Sequence, residues 1–266
     1  MLIPAERWYN SIPVRKSRRQ YDGRPIPADV LSSLQATCAD FRPFPSARAV
    51  LITQPPDDIF RGILGSYGKV KGAVGCIVFI GNMTDPEVQA KTGYTGEGII
   101  LEATALGLGT CWVGGFFRKD VATKVSGVKT GETVLAITPI GFAVANMTTE
   151  ERLLFGRSHP RKPLTALINS TAESARPLWV DQALEAARLA PSATNRQPWR
   201  FDVDASCITI STDKMNVNFG VSKRLDCGIA MLHIEVATLH AGIQGTWEFL
   251  KKPQVARFIF APPVAG

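Results

Sequence analysis

Apolar positions along this 266-residue chain fall into helical stripes and short strand-like runs that alternate in a regular order. Pro25-Ile26-Pro27-Ala28-Asp29 precedes Val30, Leu31, Leu34 and Cys38, a stripe at helical spacing opened by a proline of the kind the first turn tolerates. The spacing predicts strands at Ala49–Thr53 and Cys76–Ile80; the second is apolar throughout and therefore central in a sheet. A buried helix is predicted over Thr95–Leu108 and a short amphipathic one over Lys119–Ser126, closed by Gly127. Another strand follows at Val134–Phe142.

From Ala143 to Arg176 the pattern weakens into a connector with a basic cluster at Arg157, Arg161 and Lys162 and prolines at 160, 163 and 177. The order then returns: helix Val180–Ala190, a Pro-Ser loop, strands Arg200–Val203 and Cys207–Ser211, helix Asp226–Ala241 and strand Arg257–Ala261. Two local matches suggest duplication. Leu101-Glu102, Leu106 and Gly109 align with Ile234-Glu235, Leu239 and Gly242 at a constant offset of 133, and Pro45-Ser46-Ala47 matches Pro191-Ser192-Ala193. The expected division is a first half over 1–160 and a shorter second half over 161–266, with the hydrophobic helices packed as pseudo-symmetric partners.

Gly98 to Phe117 holds one charged residue, Glu102, over a span long enough for a membrane, but four glycines at 107, 109, 114 and 115 suit a core helix running into a tight loop. Composition then narrows the class. With 45% hydrophobic and 20% charged residues the chain reads as an ordinary folded soluble protein. Its net charge of +7 permits phosphate binding without choosing between small molecules and nucleic acid. Cys38, Cys76, Cys111, Cys207 and Cys227 are dispersed and odd in number, which supports neither a disulfide framework nor a zinc ribbon and favours the cytoplasm. The N-terminal stretch shows no secretory pattern.

Three segments carry candidate chemistry. Arg15-Lys16-Ser17-Arg18-Arg19 places four cations around a hydroxyl, a grip for phosphate oxygens or, on a blander reading, a solvated charge run. Ala190-Pro191-Ser192-Ala193-Thr194-Asn195-Arg196-Gln197-Pro198-Trp199 stops a helix at Pro191 and offers hydroxyl, amide and main-chain donors to a polar heteroaromatic ligand. Gly107-Leu108-Gly109-Thr110-Cys111-Trp112-Val113-Gly114-Gly115 follows the buried helix with glycines that let backbone amides approach a flat ligand; packing is the other explanation.

Together these motifs resemble the FMN-dependent nitroreductase superfamily over nearly the whole chain. The resemblance implies an α+β fold of mainly antiparallel sheets with packed helices. Such proteins are usually homodimers with flavin at the interface, and this chain is similar to a single-chain branch whose two halves mimic the dimer. By that resemblance Arg15, Lys16, Ser17 and Arg19 hold the FMN phosphate, ribityl chain and pyrimidine edge, and Arg161 and Lys162 add phosphate contacts. Pro191, Ser192, Ala193 and Asn195 take the part of the partner subunit, while Trp112, Val113, Gly114 and Gly115 face flavin N5. Gly114 departs from members that carry Glu there. The second pseudo-symmetric site is expected to be dead, because Phe44-Pro45-Ser46-Ala47-Arg48 replaces the Asn-x-Gln-Pro-Trp run.

The implied activity is transfer of electrons from NAD(P)H through FMN to a small electron-poor acceptor, nitroaromatic or quinone-like, by a ping-pong route, in a monomer without membrane or nucleic-acid partners. A flavin-binding protein without turnover is the alternative; a basic nucleic-acid binder would leave the Asn195-Gln197 loop unexplained. No catalytic side chain is assigned. His159, His233 and His240 lack metal spacing and read as packing or surface residues, as do Trp8 and Trp179; Cys111 has no His near it in sequence to make it a nucleophile.

Overall fold

The chain builds two four-stranded antiparallel sheets with the same connectivity, described here from a computed structural model over residues 1–60, 70–145, 160–169, 176–215 and 220–260. Helices α1 (Ala5–Ser11) and α2 (Ala28–Asp40) precede β1 (Ala47–Ile52), β2 (Gly75–Asn82), α3 (Val88–Ala105), β3 (Gly109–Thr110), α4 (Lys119–Val125) and β4 (Glu132–Gly141). Then come α5 (Leu178–Arg188), β5 (Trp199–Val203), β6 (Cys207–Thr212), α6 (Lys223–His240), β7 (Gly245–Phe249) and β8 (Gln254–Phe260). The sheet orders are β1-β2-β4-β3 and β5-β6-β8-β7, and each central pairing carries one register shift, at Phe79/Ile80 and at Ile210/Ser211.

Strand β2 is buried along nearly its whole length because the sheet is covered on both faces. Ile77 and Phe79 enter the main core with α3, whereas Cys76, Val78 and Ile80 meet Ala122 of α4 in a second cluster. The period of two along a strand turns one continuous apolar run into two faces. The main core takes in Ile208, Ile210 and Phe258 of the other sheet as well, so apolar packing is continuous across the two halves.

Helix α3 starts seven residues before the predicted Thr95, through a stretch whose Gly93 propensity disfavours. Packing against α6 explains it. A Cβ on Gly93 would lie 2.0 Å from the Leu225 carbonyl oxygen, and one on Gly228 would lie 1.9 Å from that of Ala90. The two short strands β3 and β7 and the helix α1 were not visible in the pattern, and the predicted helix, strand and connector boundaries otherwise shift by a few residues.

The helix ends correct the repeat spacing. Leu106, Gly107 and Leu108 donate to Glu102, Thr104 and Ala103, while Ala241, Gly242 and Ile243 donate to Ala237, Leu239 and Thr238. The structural offset is thus 135, not 133, and Gly242 matches Gly107 rather than Gly109. The Pro-Ser-Ala match is displaced too. Ser46 O accepts from Asn82 N, and Pro198 O accepts from Asp213 N, so Ser46 stands where Pro198 does. The connection from α5 to β5 runs over 189–198, four residues longer than that from α2 to β1 over 41–46.

Candidate functional site

The basic segment after α1 runs along the edge of the first sheet. Ser17 pairs in parallel with Thr110, Arg18 N donates to Thr110 O at 2.7 Å, and Tyr21 pairs with Ala143. This puts Arg15–Arg19 beside the loop that leaves β3. Lys16 and Ser17 are exposed and Arg19 is half-buried, while the Arg15 side chain is only 5% exposed. Among the described residues Arg15 Nε has no hydrogen-bond acceptor in reach; Glu97 Oε1 is 3.8 Å away.

Glu97, in the middle of α3 and fully buried, joins the pieces. Its Oε2 accepts from Trp112 Nε1 at 2.7 Å, which holds the Trp112 ring across Gly96 and against Phe79, 4.6 Å between centroids. Its Oε1 lies 3.0 Å from His233 Nε2 on α6. Val113 then pairs with Ile137, and Gly114 meets the second half: a Cβ there would stand 2.6 Å from Val221 Cγ2.

From the second half come Arg161 and the loop after α5. Arg161 donates to Asn195 Oδ1 at 2.5 Å and to Leu189 O at 2.9 Å. Burial, together with the like charges of Arg15 and Arg188, pushes its guanidinium down to about 10, and Glu97 opposes that shift. The buried Arg15 and the half-buried Arg161 are thus close enough to repel one another, an arrangement that favours an anion near both. Lys162 turns away: its Nζ donates to the carbonyls of Arg196 at 2.8 Å and Gln197 at 3.1 Å, so it braces the loop.

The loop is held in a costly conformation. Thr194, Asn195 and Gln197 have φ of 51°, 56° and 48°, in the left-handed region that β-branched threonine rarely enters. Its frame is built from within. Ser192 Oγ accepts from Gln197 N at 2.9 Å, Gln197 Oε1 accepts from Lys162 N at 2.7 Å, and Ala193 N donates to Asp226 Oδ1 at 3.1 Å. Arg196 donates to Asp226 Oδ2 at 2.6 Å and to Val221 O at 2.8 Å, tying the loop to the start of α6. Burial raises the Asp226 carboxyl to about 6 despite the Arg196 charge. Pro191 is buried behind the loop.

A cavity of 480 Å³ opens beside this junction, lined in part by Gln89, Gly114, Phe116, Lys119, Val221 and Leu225. Of the candidate residues, Gly114 and Gly115 line this cavity; Arg15 acts on Arg161, which binds Asn195, and Lys162 and Ser192 brace the loop. The sequence reading missed Glu97, His233 as its partner, Arg196, Asp226 and Val221. An acid inside a glycine-rich, apolar helix was the available signal, since such a group needs a buried partner.

Elsewhere, Trp8 is fully buried and donates to Glu102 Oε2 at 2.8 Å; Trp179 packs edge-on against Phe260, and His240 stacks on Tyr9. All five cysteines are buried and unpaired. His159 lies outside the described residues. Among those residues no His, Cys, Asp and Glu group could hold a metal, and no helix is long and apolar enough to cross a membrane.

Two antiparallel sheets of one strand order, with the central helices α3 and α6 packed together, make this an α+β fold. The family model described as "Putative TM nitroreductase" matches residues 7–238, and the chain belongs to that family. A "putative nitroreductase" of Thermotoga maritima shares the fold with a TM-score of 0.60 at 22% identity, over 96% of this chain and 94% of that one. An FMN-dependent nitroreductase of Clostridium difficile is 18% identical over 57% of this chain and 98% of its own, TM-score 0.43. A Bacteroides fragilis nitroreductase with bound FMN is 18% identical over 53% and 90%, TM-score 0.43. No protein of curated function matches the sequence.

Proposed function

We propose that this protein is an FMN-dependent oxidoreductase that takes electrons from NAD(P)H and passes them, by a ping-pong route, to a small nitroaromatic or quinone-like acceptor. The observation that carries this reading is the buried Arg15 guanidinium, unpaired at Nε and close enough to Arg161 to depress it. Such a pair suits a phosphate.

The residues fit the cofactor as follows. Arg15 and Arg161 would neutralise the phosphate, with Lys16, Ser17 and Arg19 beside them and Lys162 holding the loop. Ser192, Ala193 and Asn195, backed by Pro191, would present the second half, and Trp112, Val113, Gly114 and Gly115 the first. Bound flavin supplies the hydride acceptance and electron delivery. Glu97 fixes the Trp112 ring, and the Arg196–Asp226 pair fixes the loop. At Gly114 there is no carboxylate, and the space a side chain would take is filled by Val221. That contact favours the second reading, a flavin-binding protein without turnover; the adjoining 480 Å³ cavity favours turnover, because it leaves room for a small acceptor.

We read 1–160 and 161–266 as the two halves of a pseudo-dimer within a monomer, with one FMN per chain. Support comes from the matching sheet orders and from the α5–β5 connection, four residues longer than its first-half equivalent. The free, buried cysteines suit a reducing cytoplasm.

Titrating the protein with FMN, then adding NADH or NADPH without oxygen and a quinone afterwards, tests the reading. Binding at one FMN per chain, bleaching by the nucleotide and return of colour with the quinone are expected. Binding without bleaching would support the non-catalytic reading, and no binding would overturn both.

A further inference from the structure

His233 lies at 0% exposure on α6 with both ring nitrogens opposite acceptors: Nδ1 is 2.8 Å from Ala186 O and Nε2 is 3.0 Å from Glu97 Oε1. A carbonyl oxygen only accepts, so Nδ1 carries hydrogen. An ionised carboxylate also only accepts. Either Nε2 bears a second hydrogen or Glu97 Oε1 bears it, and in both arrangements one proton occupies the line between them. The pair is then electrically neutral overall, whichever partner the proton is drawn on.

That neutrality bears on the cations around it. The charged groups facing Glu97 are Arg15, from the segment after α1, and Arg161, from the segment before α5; His233 faces it from α6. Arg15 Nε and Glu97 Oε1 already stand as a buried ion pair at 3.8 Å, but without a hydrogen bond, so Nε keeps a free donor among the described residues. A carboxylate carrying its full charge there would offset more of that guanidinium and leave less positive charge for any incoming anion.

We propose that His233 is a positioning residue for anion binding: by keeping a proton on Glu97's inner edge it offsets the Glu97 charge and leaves more of the Arg15 and Arg161 charge for the cofactor phosphate. The inference rests on the reading of those arginines as the phosphate grip. It makes a core histidine, 0% exposed and remote from solvent, a determinant of phosphate affinity.

The test compares FMN with riboflavin, which lacks the phosphate, by flavin-fluorescence titration of three proteins: the natural chain, His233→Gln, and His233→Gln combined with Glu97→Gln. In the single variant Glu97 keeps its charge without the proton; in the double variant two carboxamides pair with each other, accept from Trp112 and donate to Ala186. FMN affinity is expected to fall about tenfold in the single variant and to recover in the double, with riboflavin affinity little changed throughout. Equal FMN affinity in the single variant, a parallel fall for riboflavin, or a double variant no better than the single would overturn the proposal. Failure of the natural chain to bind FMN would instead overturn the functional reading beneath it. Should the single variant not fold, ¹⁵N-histidine NMR of the natural chain decides: hydrogen on Nδ1 and on the Nε2–Oε1 line is expected, and a bare Nε2 lone pair refutes it.

Discussion

Gly93 and Gly228 occupy matching places on the two central helices, each with its α-carbon against the other helix's backbone, at Leu225 O and at Ala90 O. The contact is reciprocal, as in the isologous interface of a two-fold dimer, but it lies inside one chain. It sets how closely α3 and α6 approach, and so how Glu97 meets His233 and how Gly114 meets Val221.

Adding a methyl at either glycine should therefore separate the helices. Gly93→Ala and Gly228→Ala are each expected to cost about 2–3 kcal/mol in chemical denaturation, because the obstructing atoms are backbone and cannot rotate away. Stability equal to the natural chain would show that the helices slide freely past one another.

The loop after α5 stores backbone strain that glycine would release. Thr194→Gly removes a side chain at φ 51° and is expected to raise stability by about 1 kcal/mol. A loss of stability in urea melts would mean that the threonine conformation is relaxed and the strain argument fails.

Gly114 and Val221 should be energetically coupled. Gly114→Ala places a Cβ 2.6 Å from Val221 Cγ2, and Val221→Ala removes that atom, so the double variant is expected to recover about 1 kcal/mol relative to additivity. Strict additivity in a double-mutant cycle would place the two residues out of contact.

The pairing of Glu132 with Arg48 makes an acid-side prediction. Hydrogen bonds from Arg48, at 2.6 and 2.9 Å, hold the Glu132 carboxyl down at about 2, with the Lys129 amide assisting and burial opposing. Because the folded value lies below the ordinary 4.5, the stabilisation is full above pH 4.5 and is lost as pH falls toward 2. Arg48→Met should thus be less stable at pH 7 by about 1–2 kcal/mol, and its deficit should close near pH 2. A deficit that persists unchanged at pH 2 would assign it to packing.

Most helices and the longer strands were legible because each is a local pattern. The stripe at Val30, Leu31, Leu34 and Cys38 needs only helical periodicity, and Cys76–Ile80 needs only its length and apolar character. Helix α3 begins before the predicted Thr95 in a stretch where Gly93 weighs against a helix locally, whereas in the fold Gly93 makes room for Leu225, as Gly96 and Gly98 do for Trp112 and Phe41. β3 has two residues, too few to carry a pattern.

The site divides in the same way. Sequence by itself determined which motifs exist: the cations at 15–19, the small and amide-bearing loop after Pro191 and the glycine-rich turn after α3. It also determined the alternation of helices and strands along the chain. Tertiary structure alone decided that Lys162 serves the loop, that Arg15 and Arg161 act on one another, and that Glu97 faces His233 between helices. Those relations join residues far apart in the chain, and their energies depend on burial and on which charges face each other. No local pattern encodes either quantity, since both arise only when α3 and α6 close on one another.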